Sequence, residues 1–164
     1  SEFESLKEKM MKNLILISCF IAIADSYISA QSAKSVYFEL GGPGIASFNF
    51  DTRFSGREGG LGGRIGAGYS KFVGDGSSVF YLPLGINYLI GKEKHFFEMG
   101  AGVTPVFGVE DGDTVISEPF GHLIFGYRFQ SLNDGFTFRA FACPVFNSID
   151  FIPYYGGISA GYKF

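Results

Sequence analysis

From about residue 35 onward, apolar side chains recur at every second position, and small or polar residues fill the places between them. In 154–164, Tyr154, Gly156, Ile158, Ala160, Tyr162 and Phe164 share one parity, while Tyr155, Gly157, Ser159, Gly161 and Lys163 share the other. In 95–107, Phe97, Met99, Ala101, Val103, Pro105 and Phe107 oppose Phe96, Glu98, Gly100, Gly102 and Thr104. A period of two is the signature of a strand with unlike faces. The alternation predicts strands over 35–41, 44–54, 61–70, 78–90, 95–107, 117–129, 135–145 and 154–164. No window sustains a helical i, i+3, i+4, i+7 pattern, because Gly or Pro interrupts each one. Gly41-Gly42-Pro43-Gly44 admits two readings: a tight turn between the first two strands, or a kink in one long strand that lowers the count to seven.

Strands of this kind build a barrel in either of two senses. A soluble, lipocalin-like barrel turns its apolar face inward and keeps a charged exterior. Here the polar face is mostly Gly, Ser and Thr with isolated charges, too sparse for a surface in water. A membrane barrel turns the apolar face and its aromatic girdles toward lipid and keeps small or polar residues inside. Composition agrees: 20 Phe and 9 Tyr make aromatics 18% of the 164 residues, equal to the charged fraction. All 24 Gly lie after position 40, a density that long helices do not tolerate. The fold class expected is all-β, an eight-stranded antiparallel transmembrane barrel in meander order. Eight strands of about 9–11 residues fit within 31–164 with room for connections, and ten would leave almost none. A net charge of -3 offers no basic surface for nucleic acid.

Ahead of the barrel, Met11-Lys12-Asn13 precedes an apolar run from Leu14 to Ala24 and then small residues up to Ala30. This is the layout of a secretory signal peptide over 11–30, too short to span a bilayer as a helix. Cleavage is expected after Ala30, or alternatively after Ala33. Residues 1–10 read as an appended remnant or an over-called start. With the leader removed, Cys143 is the only cysteine, so no intramolecular disulfide is expected.

The leader, the alternating segments and the terminal Tyr162-Lys163-Phe164 resemble the small eight-stranded outer-membrane β-barrels of Gram-negative bacteria, of the OmpX or OmpA-barrel kind. The strings 37–42, 85–92 and 97–102 are similar to small outer-membrane proteins of the Bacteroidota type. The resemblance implies residence in the outer membrane with both mature ends periplasmic, contact with outer-membrane lipid, and recognition by the outer-membrane assembly machinery through the strand ending at Phe164. A monomer is expected.

Candidate chemistry is confined to the interior. By parity Arg64, Glu98, Arg128 and Arg139 all face the lumen at similar depth, joined by Asn87 and by Asp51 and Arg53. A charge facing lipid near the midplane costs about 2–4 kcal/mol, whereas a lumenal charge can pair. The cluster reads as a salt-bridged plug or, since arginines exceed carboxylates in it, as a narrow anion path. A lipid deacylase or acyltransferase is the first alternative function, and a soluble periplasmic barrel that binds an apolar ligand is the second. The deacylase needs a Ser held by a His. His95 falls at a turn, and His122 is followed at the second position by Ile124 where a His-x-Ser pairing needs Ser, although Ser117 or Ser148 could approach from neighbouring strands. No catalytic residue is assigned. The acidic run 110–113 lacks the spacing of a Ca²⁺ loop, Cys143 has no metal-ligand partner in the spacing, and no metal or cofactor is expected. The function expected is structural, loop-mediated interaction, or a narrow pore.

Overall fold

The computed structural model describes residues 32–71, 78–110 and 113–164. The expected leader and its cleavage after Ala30 lie outside these residues, and so do the side chains of the acidic run 110–113.

Eight strands follow one another: β1 (Lys34–Gly41), β2 (Ala46–Arg53), β3 (Gly60–Lys71), β4 (Ser78–Tyr81 continued by Leu84–Lys92), β5 (His95–Glu110), β6 (Asp113–Gln130), β7 (Gly135–Ala142 continued by Val145–Phe146) and β8 (Phe151–Ile152 continued by Gly156–Lys163). Each pairs antiparallel with the next. β8 then returns to β1, with Ser35 opposite Lys163 and Gly41 opposite Gly157, so the sheet closes into a barrel.

Two of the breaks have a simple cause. Pro83 and Pro144 have no N–H to donate, but their carbonyls still accept from Gly66 and Leu123, and the register is the same on both sides. In β8 the break is a bulge. Ile152 faces Val145 but Gly156 faces Ala142, so β8 carries one extra residue there.

The segment 41–44 is a hairpin turn and not a kink. Gly42–Gly44 forms one 3₁₀ turn, flanked by paired residues Leu40 and Ala46. Gly41 and Gly42 have φ of 77° and 66°, a conformation that favours glycine. The fifth and sixth strands, expected to end at 107 and start at 117, are longer: β5 and β6 continue their ladder to Glu110 and Asp113, across a bulge between Thr104 and Val106. Between the expected strands 135–145 and 154–164, Val145 and Phe146 pair with Ile152 and Phe151 and extend the ladder.

Alternation places the faces as the sequence pattern requires. Phe48 is 71% exposed, Ile86 58% and Phe97 49%, whereas Glu98 and Arg139 are 1% exposed. The exterior is therefore apolar and the interior charged, the reverse of a soluble lipocalin-like barrel. The interior is layered along the axis. Toward the end bearing Lys34 and Phe164, here the terminal end, Leu89 and Phe96 are buried and Glu58 is held by Lys163 and Gln130. The charged layer fills the middle. Toward the opposite, distal end lies an apolar layer of Ile124, Phe141 and Cys143, against which Val145 and Tyr155 pack. The Gly42–Gly44 turn is itself buried beside Phe141.

Candidate functional site

Parity on seven strands brings the charged layer together. β1 contributes Glu39, β2 contributes Asp51 and Arg53, β3 Arg64, β4 Asn87, β5 Glu98, β6 Arg128 and β7 Arg139. All are buried, and the small residues beside them make the room. A side chain at Gly62 would strike the guanidinium of Arg53, and one at Gly66 would strike the amide of Asn49. The density of glycine on the inward face is thus what admits several arginines into a barrel of only eight strands.

The contacts form one continuous network. Asp51 accepts from Arg53 Nη2 at 2.7 and 2.9 Å, from Arg128 Nη1 at 3.0 Å and from Asn87 Nδ2 at 2.6 Å. The same Asn87 nitrogen donates to Glu98 at 2.9 Å, while its oxygen accepts from Arg53. One neutral amide therefore separates two carboxylates and satisfies both, a task no acidic side chain could perform. Arg139 grips Glu98 with two parallel bonds, Nε at 2.8 Å and Nη2 at 2.6 Å, in the geometry that favours arginine over lysine. It also reaches Glu39 at 3.4 Å, and its guanidinium lies 4.7 Å from the centre of the Tyr37 ring. Arg64 completes the network through Glu39 at 2.9 Å and Asn49 at 2.8 Å.

No protein-family model matches this sequence, and no curated protein matches it in sequence. Among solved structures, the N-terminal β-barrel domain of Pseudomonas aeruginosa OprF superposes with a TM-score of 0.57 at 10% identity, covering 82% of this chain and 98% of that one. The chain has the fold of that barrel. Ail, the attachment invasion locus protein of Yersinia pestis, is also similar, with a TM-score of 0.44, 15% identity and coverage of 81% and 97%.

Within this barrel, Arg64, Asn87, Glu98, Arg128 and Arg139 share one network with Asp51 and Arg53. Glu39 was missed as a member. Its signal was available, since it alternates with Val36, Phe38 and Leu40 and so faces inward by the same parity as Arg64. With Glu39 and Asp51 counted, four arginines meet three carboxylates. Among the described residues, Arg64 Nε and Nη1 are buried without a hydrogen-bond partner, as are Arg53 Nε and Arg128 Nε.

The hydrogen bonds described for the two histidines run to Thr104 and Tyr127. His122 is buried with Nδ1 3.3 Å from the Thr104 hydroxyl, while the Ser148 hydroxyl donates to Glu118. His95 is exposed and meets the Tyr127 hydroxyl at 2.6 Å. Among the described residues no group of three or more His, Cys, Asp or Glu side chains could hold a metal ion. Cys143 packs beside Ile124 and Phe141 in the apolar layer.

Proposed function

We propose that this protein is an integral outer-membrane barrel with a closed lumen, whose role is structural or carried by its distal hairpins. The observation that supports the reading is the charged layer, in which paired side chains from seven strands meet across the barrel and are each 4% exposed or less. The apolar exterior supports lipid as its surroundings. In this reading the terminal end is periplasmic and the long β5–β6 hairpin faces outside, the usual disposition of short turns and long loops. The test has two parts. The protein should partition with outer membranes and run faster on gels unheated than boiled, and in planar bilayers it should give no steady conductance. Full solubility would overturn the membrane assignment, and a stable open-channel current would overturn the closed lumen.

The unpartnered nitrogens of Arg64 favour a second reading, a narrow anion path. It requires anion-selective conductance that falls on Arg64→Ala and Arg139→Ala, and currents unchanged by both substitutions would end it.

A further inference from the structure

The distal mouth is lined by the wrong kind of residue for a surface that meets only water. Above the charged layer, a pocket of about 360 Å³ is walled by Tyr81, Phe120, Val145, Phe146, Ile152 and Tyr155, with Asn147 and Asp150 at its rim. Its volume is that of a small-ligand site, and its lining is mostly apolar with few polar groups, the usual composition of such sites. Val145 and Tyr155 also pack against the buried apolar layer of Ile124, Phe141 and Cys143, so the pocket floor is mostly apolar.

The wall around this pocket is uneven. The row of paired residues that passes through Ser47, Gly68, Tyr81, Val106 and Ser117 marks the top of β2, yet β5 and β6 continue four residues past it, to Glu110 and from Asp113. Among the described residues, β1 and β2 end in the low Gly42–Gly44 turn. The mouth is thus notched on the β1–β2 side. At the sill of the notch stands Ile45, which lines the pocket and is also 39% exposed. Below it the exterior continues as Leu40 and Phe48, the apolar face of the barrel. Ile45 has φ 60°, a conformation that β-branched residues avoid. Strain of that kind points to a role for the side chain that holds it.

We infer that the pocket receives one hydrocarbon chain of an amphiphile, which enters from the outer leaflet over Ile45. The occupant follows from the continuity of the apolar lining with the lipid-facing exterior, and its polar head would stay at the Asn147 and Asp150 rim. The inference rests on the membrane reading above. The test uses full-length protein in nanodiscs with a photoreactive diazirine on the acyl chain, carried in one arm by phospholipid and in the other by free fatty acid, with adducts mapped by mass spectrometry. Labelling of Phe120, Tyr155 and Val145 in either arm, lost by at least fivefold in Ile152→Trp while Phe48 and Phe97 stay labelled, supports the pocket and identifies the source of the chain. Labelling of Phe48 and Phe97 alone in both arms overturns it and leaves the membrane reading intact. Absence of labelling at Phe48 and Phe97 would overturn both. Val145→Phe fills the pocket from below and serves in place of Ile152→Trp if that variant lacks the heat-dependent gel shift.

Discussion

At the residue scale, the lumen is governed by how costly an unmatched buried charge is. Replacing one member of a buried pair strands the other, a loss of about 3–5 kcal/mol, whereas replacing both with apolar residues of similar volume is often near neutral. Arg139→Leu should therefore destabilise the barrel by about 3–5 kcal/mol, and Glu98→Leu added to it should recover part of that loss, because Glu98 is the carboxylate that Arg139 holds bidentately. Urea titration in lipid vesicles, followed by the heat-dependent gel shift, measures both. Asn87→Asp tests the amide hub. The change is nearly isosteric, but it brings a third acid between Asp51 and Glu98 and removes the donor both accept, so it should cost at least about 1–3 kcal/mol in the same titration. Equal stability of Asn87→Asp and the parent would contradict the hydrogen-bond assignment. The inward parity of Arg64, Glu98 and Arg139 was legible because strand geometry allows only two faces. Their partners were not, because a pair such as Arg139 and Glu39 joins strands far apart in sequence and depends on the shear with which the barrel closes.

At the element scale, the first hairpin departs most from the others. Eight alternating segments were legible in the sequence, but the meaning of Gly41-Gly42-Pro43-Gly44 was not, because four residues of that composition suit a kink as well as a turn. The 3₁₀ turn resolves it by burying Pro43 and placing the strained Ile45 at the exit. Ile45→Gly should relieve the backbone and raise stability by about 1 kcal/mol, while lowering acyl labelling of the pocket. A gain in stability without a change in labelling would show that the side chain has no part at the sill. The strand ends of β5 and β6 were underestimated for a different reason. The extra residue of the bulge lies in β6 between Ser117 and Phe120, where the inward parity switches, so period-two counting loses β6 toward Asp113 although its ladder with β5 continues.

At the scale of the whole molecule, closure depends on the two ends of the described chain. Lys34 and Phe164 exchange a pair of backbone hydrogen bonds at 3.1 and 2.8 Å, and Lys163 reaches from β8 to Glu58 at 2.6 Å. Removal of residues 162–164 should abolish the heat-dependent gel shift, whereas Tyr154→Ala, at a fully exposed site on the bulge, should leave it unchanged. The pairing of β1 with β8 also sets an order in time. Glu39 leaves the ribosome about a hundred residues before the Arg139 that it meets, and Ser35 earlier still than its neighbour Lys163. The sheet that encloses the charged layer stays open until the last strand pairs with the first. The pairing of the first strand with the last spans the whole described barrel sequence, and contacts of such separation are the slow ones to form.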